Sequence, residues 1–259
     1  PLQRANIFGL EPYNGLFAHK NQCALFFAFN FLIGTSRLLN GEKKRGLLQY
    51  AALMMHLIFM LAAGASGPIL SAIIASLMIV VLYIYRRSVT AASAILSVAV
   101  VSGTLILLLP DEFLRLIGRD AGLTGRAYLY DVWFSYFSER AVFGYGYGVF
   151  FGDTGSAMAD HLNRQRLYAN YTNFESAYIQ IAIDFGLMGI LSFLYMLGLS
   201  LYGGWRSALL ERGSYSFAPL AVLVYILVSS LTEIYLANFN TLHVAFLSFL
   251  FSKYLYKHI

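Results

Sequence analysis

An all-α, polytopic membrane fold is what this sequence predicts, and three observations carry that prediction. The 259 residues are 59% hydrophobic and only 12% charged, about half the charged fraction of a soluble domain, and the mean hydropathy is +0.64. Apolar runs recur along the whole length, so no single soluble core accounts for them. Basic residues collect in alternate loops. A net charge of +5 would suggest nucleic acid for a soluble protein. Here it fits basic anchors at a membrane surface and anionic ligands, so membrane lipids are the expected partners and nucleic acid is not. The one cysteine, Cys23, excludes an intramolecular disulfide and a cysteine zinc cluster. Pro1 opens the sequence without a methionine or a secretory signal, and the chain is expected to be the C-terminal part of a longer protein.

Crossing a bilayer takes about 20 apolar residues. In order, the candidate spans are Gln22–Leu38, Leu47–Ala65, Ile69–Tyr85, Val89–Leu109, Ser176–Tyr202, Phe217–Leu236 and Thr241–Leu255, about seven helices. The third and the last are short and need a thinned bilayer or snorkelling flanks. With all seven in place, four basic groups fall on one side: Arg37 with Lys43, Lys44 and Arg45; Arg86 with Arg87; Arg206 with Arg212; Lys253 with Lys257. The positive-inside rule makes that side cytoplasmic. Residues 1–21, the Gly67-Pro68 turn, the segment 110–175 and the turn at 237–240 then lie outside. The chain reads as one membrane domain over 1–259, with an extracytoplasmic loop-and-helix segment at 110–175 that carries the site.

That segment holds Arg115, Arg119, Arg126, Arg140, Arg164 and Arg166 but no lysine. Arginine without lysine on the outer side suggests bidentate recognition of phosphate or carboxylate rather than control of topology. Surface ion pairs with Asp111, Glu112, Asp120, Asp131, Glu139, Asp153 and Asp160 are the alternative. Thr124 suits a helix N-cap, and Leu129, Trp133 and Tyr136 share one face of a helix over Ala127–Tyr136. Arg126 in its first turn opposes the helix dipole. Beside outward-pointing backbone N–H groups, the same cation makes an anion site.

Other residues offer less specific signals. Gly144-Tyr-Gly-Tyr-Gly148 alternates glycine, which allows close backbone approach, with Tyr145 and Tyr147, whose faces and hydroxyls suit sugars or the headgroup region. Glu175 stands where the external segment enters a long apolar helix. Partial burial there would make it a general base; a plain partner of the helix dipole is the equal alternative. Asp184 lies deeper in that span, facing protein in a structural hydrogen bond or ion pair. His19, Lys20 and Asn21 open the first span on the outer side, where Lys20 hints at an anionic neighbour. His161 reads as a solvated loop histidine. No His, Asp or Glu spacing suggests a metal site.

The motifs Gly15-Leu-Phe-Ala-His-Lys-Asn21, Gly118-Arg-Asp, Leu123-Thr-Gly-Arg126 with Trp133, Gly144-Tyr-Gly-Tyr-Gly148 and Glu175-Ser-Ala-Tyr178 with Phe185-Gly-Leu-Met-Gly189 occur in this order. Together they resemble the O-antigen ligase and polymerase superfamily, nearest its exopolysaccharide polymerase branch, over almost the whole chain. The resemblance implies a GT-C-type glycosyltransferase in the bacterial inner membrane, inverting and metal-independent, with no cofactor and its active site facing the periplasm. It implies a glycan on undecaprenyl diphosphate as donor and a glycan as acceptor, with polysaccharide export or chain-length proteins as candidate partners. By the same resemblance Arg126 binds the diphosphate and Glu175 acts on the acceptor. Arg119, Arg140, His19, Lys20, Asn21, Tyr145 and Tyr147 are the candidate substrate-binding residues. Ligases of the superfamily usually carry histidine where Glu175 stands, which favours the polymerase branch. Ala65-Ser-Gly-Pro68 lacks the arginine that the superfamily often has in this turn.

Overall fold

The computed structural model describes residues 13–40, 46–97, 126–152, 156–164, 172–238 and 241–255. Helices account for all the regular structure there, and three of them are long and apolar enough to cross a membrane. These are α1 (Lys20–Leu39), α3 (Ser66–Tyr85) and α6 (Ala177–Leu210). Shorter apolar helices are α2 (Leu47–Ala62), α7 (Ala218–Ser229) and α8 (Leu242–Leu255). Two less apolar helices, α4 (Arg126–Phe137) and α5 (Ala157–Arg164), come from the arginine-rich segment. The fourth expected span is helical over 89–97, and its remainder lies outside the described residues, as do Arg119, Thr124 and Asp153.

By their contacts the residues divide into two units, one of Pro1–Val98, Ser200–Ser229 and Ser252–Ile259, the other of Ala99–Leu199 and Ser230–Phe251. In the first, α1 packs on α2, α3 and α7, and α3 packs on α7. Small residues allow these close approaches: Cys23 and Ala24 of α1 bury against Ala63 and Ala65, and Ser71, Ala72 and Ala75 of α3 are buried. Lipid tails are as apolar as leucine, so such contacts rest on close van der Waals packing rather than on the hydrophobic effect. His19 caps α1, its Nδ1 accepting the Asn21 N–H at 3.2 Å.

The second unit is built on aromatic packing. Leu129, Val132 and Tyr136 of α4 bury against Phe150, Met158, Phe174 and Ile183. Leu129 and Tyr136 follow the expected helical face, while Trp133 is only partly buried and Val132 takes the central place. Phe150 meets Tyr136, Tyr145 and Phe174 at ring-centre distances of 5.5, 5.2 and 5.3 Å. One aromatic cluster thus ties the helix that begins at Arg126 to the stretch of chain leading into α6.

Two expected boundaries are corrected. The sixth span is expected to run to Leu236, but α7 stops at Ser229 and residues 230–238 turn. The carbonyls of Ser230 and Glu233 are drawn to the Ala177 N–H, at 3.0 and 3.1 Å, where α6 begins. The fifth span reaches Leu210 rather than Tyr202 and is not continuous, because Gly186 takes φ 63° and ψ −157° inside it.

Candidate functional site

At about 1.5 Å per residue, the 34 residues of α6 would make an unbroken rod of about 50 Å, well beyond the ~30 Å hydrocarbon core. The interruption at Gly186 frees backbone groups that would cost several kcal/mol each if left bare in an apolar setting. The loop 141–148 supplies their partners. Tyr145 and Gly146 donate N–H groups to the carbonyls of Ile183 and Asp184 at 2.9 and 2.8 Å, and the carbonyls of Ala141 and Val142 accept from Leu187 and Met188 at 2.7 and 3.1 Å. Two glycines make this docking sterically possible. A Cβ on Gly144 would sit 2.5 Å from the Asp184 backbone, and one on Gly186 would sit 2.5 Å from the Val142 oxygen. Gly144-Tyr-Gly-Tyr-Gly148 is therefore the plug of a broken helix.

Asp184 holds the plug from beneath. It is 2% exposed; its carboxylate accepts both from Gln180 Nε2, at 3.1 Å to each oxygen, and from the Gly148 N–H. Gln180 Oε1 in turn accepts the Phe174 N–H at 3.2 Å. The hydrogen-bonded role expected of Asp184 is the one observed. A polar pair at i, i+4 in an apolar helix is the sequence signal for its partnership with Gln180.

Glu175 follows Phe174 directly. It has φ 54° and is the only non-glycine residue with positive φ among those described. Its N–H donates to Asn173 Oδ1 at 2.7 Å. A left-handed backbone costs an ordinary residue roughly 1–2 kcal/mol, and such strain gathers at functional positions. The partial burial that one of the two readings of Glu175 called for is not found, for the residue is exposed. The chain turns there before α6 starts at Ala177, so Glu175 stands ahead of the first helical turn instead of within it.

The remaining candidates fall into two groups. Arg140 stacks on the Tyr145 ring, with its guanidinium carbon 5.0 Å from the ring centre. The Tyr145 hydroxyl donates to Glu139 Oε2 at 2.8 Å. Burial first, then the bond to Glu139, push that hydroxyl above the usual tyrosine range, so it stays a donor. Tyr147 is exposed and stacks on Phe185 at 6.2 Å. These two rings edge an open apolar cavity of about 680 Å³, lined also by Phe143, Ile181, Met188, Phe193, Met196 and Leu236. Arg126 is the first residue of α4. His19, Lys20 and Asn21 sit at the start of α1 in the other unit. His161, expected in a solvated loop, lies on α5 and is half-buried, with Nδ1 3.2 Å from the Tyr136 hydroxyl. Burial, then the Arg164 charge, hold its pKa below the ordinary histidine value. Among the described residues no three His, Cys, Asp or Glu side chains stand together as a metal site would require.

Residues 51–194, more than half of the chain, match the model of the O-antigen ligase family. The chain belongs to that family. No curated protein matches it. The matched stretch runs from α2 into α6 and contains Arg126, the Gly144–Gly148 plug, Glu175 and the break at Gly186. Membership in the O-antigen ligase family, with the apolar helices, makes this a membrane protein and a glycosyltransferase-like enzyme of the ligase or polymerase type. The resemblance read from the motifs holds at the level of the family.

Proposed function

We propose that the chain polymerises glycan repeat units at the outer face of the bacterial inner membrane. The growing glycan passes from undecaprenyl diphosphate to the next lipid-linked unit. Glu175 takes the proton of the acceptor hydroxyl, and the freed oxygen attacks the anomeric carbon. The bond from that carbon to the diphosphate breaks with inversion, and Arg126, helped by Arg119 and Arg140, stabilises the negative charge on the leaving diphosphate. The observation that carries this reading is the strained, exposed Glu175, anchored through Asn173 directly before α6. A glutamate needed only for the helix dipole has no reason to hold a left-handed backbone outside the helix. The apolar cavity beside Tyr147 and Phe185 supports a lipid-borne donor, since isoprenoid units match its lining chemically.

The family description itself favours a second reading, transfer of the same donor onto a lipid A core or another acceptor. One assay separates them. Purified protein given lipid-linked repeat units alone should yield a ladder of products several units long. Product formed only when a lipid A core acceptor is added, one attachment per acceptor, would replace the polymerase with a ligase.

Orientation has its own test. Cys23 is buried, so a cysteine placed at the exposed Gly152 reports without background. In intact spheroplasts Gly152→Cys should react with a membrane-impermeant maleimide. Labelling only after permeabilisation would put the candidate site on the cytoplasmic side.

A further inference from the structure

Far along the chain from the candidate catalytic residues, the first unit contains a cavity of about 530 Å³ lined by Asn40, Tyr83, Tyr85, Arg86, Arg87 and Arg212 together with two leucines. Among the described residues it brings three guanidinium groups to one space and no carboxylate. The nearest acid in sequence, Glu211, has its carboxylate engaged by the Ser207 hydroxyl at 2.8 Å. Such an arrangement is unfavourable by itself, since like charges repel. Burial, and then the Arg212 charge beside it, both disfavour the charged form of Arg86.

Arg86 has a structural explanation. Its Nε donates to the Ala208 carbonyl at 2.9 Å, its Nη1 to Asn40 Oδ1 at 2.9 Å, and its Nη2 to the Ser216 hydroxyl at 2.9 Å and to the Ala208 and Glu211 carbonyls. The guanidinium also lies 4.3 Å from the centre of the Phe217 ring. It thus fastens the C-terminal ends of α1 and α6 to that of α3. Helix C-termini repel anions through the dipole, but here Arg86 occupies the Ala208 and Glu211 carbonyls at the end of α6. Arg87 and Arg212 are exposed and do not fasten helices in this way. Arg87 stacks on the Tyr83 ring at 4.3 Å.

We propose that this cavity binds the phosphate of an anionic membrane lipid. Arg87 and Arg212 grip the phosphate oxygens, with Arg86 as the fixed base of the site. Two features favour a lipid headgroup over a free anion. The cavity lies at the ends of helices long enough to span a membrane, α3 and α6, which is headgroup depth. Tyr85 and the exposed Trp205 meet there at 6.4 Å between ring centres, in keeping with the aromatic belts found at membrane interfaces. Basic clusters beside membrane helices attract anionic lipid in the same way.

The test uses the full chain purified in a neutral maltoside detergent. Dioctanoyl phosphatidylglycerol, titrated in, should raise the thermal unfolding midpoint in a saturable way that weakens with salt, and dioctanoyl phosphatidylcholine should not. Arg87→Gln with Arg212→Gln removes two charge-assisted contacts, so the concentration needed should rise about a hundredfold. Arg212→Gln alone, and the salt dependence of the unaltered protein, decide the matter if the double variant does not fold. Inorganic phosphate acting at the same concentration as the glycerol lipid would keep the anion site and make a free phosphate its ligand. Equal responses to the two lipids, or an unchanged response in the variants, would overturn the proposal.

Discussion

Under the proposed mechanism, Glu175→Gln should leave the purified protein folded and able to bind a lipid-linked donor, while polymerisation slows about 100- to 10,000-fold, the range lost with a general base. The amide keeps the size and hydrogen-bonding capacity of the side chain but takes up no proton. A structural role predicts otherwise: a partner of the helix dipole contributes only about 0.3–1 kcal/mol, and its amide would run at nearly full rate. The backbone adds an independent reading. Glycine adopts the left-handed conformation freely, so Glu175→Gly should raise stability by up to about 1 kcal/mol and still abolish turnover. A gain in stability together with a loss of rate is what a strained functional residue gives. Glu175→His should retain part of the rate, since histidine stands at this place in the ligases the chain resembles. A Glu175→Gln rate within threefold of the unaltered protein would reduce Glu175 to a turn residue and move the search for the base to His19, Asp153 or His161. Of these His161 is already tied to Tyr136 and His19 to the cap of α1.

What the sequence conveyed, and what it did not, follows from the kind of signal each feature leaves. Long apolar runs have one use at this length, so α1, α3 and most of α6 were legible to within a few residues. The face of α4 was legible through its spacing, because Leu129 and Tyr136 must bury somewhere. The end of α7 was not. Leu231, Ile234, Tyr235 and Leu236 continue the apolar pattern past Ser229, and only the pull of the Ala177 N–H on the Ser230 and Glu233 carbonyls turns the chain. That contact is non-local, and hydropathy carries no trace of it. Glu175 stands out in the sequence by its place before a long helix, which leaves a partly buried base and a dipole partner as equal readings. The apolar run that follows suggests burial, whereas the helix starts only at Ala177 and Glu175 ahead of it is exposed.

The break in α6 was the largest feature missed. Glycines are common in membrane helices, where they often mark close packing, so Gly186, although part of the Phe185-Gly-Leu-Met-Gly189 motif, gives no sign of a break. In Gly144-Tyr-Gly-Tyr-Gly148 the tyrosines suit sugars and the glycines allow close backbone approach. The close approach is to α6 itself, because Gly144 faces the backbone of Asp184 and Phe185 and Gly186 that of Ala141 and Val142. The two motifs, some forty positions apart along the chain, describe one object.

That reciprocity leads to the second large effect. In both Gly144→Ala and Gly186→Ala the new Cβ would lie 2.5 Å from backbone atoms, which cannot move aside as a flexible side chain can. Both positions also have positive φ, 71° and 63°. Either substitution must therefore push the plug out of the break, leaving the Ile183 and Asp184 carbonyls and the Leu187 and Met188 N–H groups to find other partners. Four lost bonds at about 1 kcal/mol each, with about 1–2 kcal/mol of backbone strain, give an expected loss of roughly 5–6 kcal/mol, enough to unfold many domains. Two controls separate the causes. Gly148→Ala has φ 71° but meets nothing within 4 Å, so it should lose only the strain. Gly198→Ala, exposed on α6 with open space around it, should be neutral or gain up to about 1 kcal/mol from helix propensity. Thermal unfolding of the four purified variants should rank Gly144→Ala and Gly186→Ala lowest, Gly148→Ala between and Gly198→Ala highest. If Gly186→Ala unfolds no sooner than Gly148→Ala, α6 can close into a continuous helix and the plug is not what holds it open.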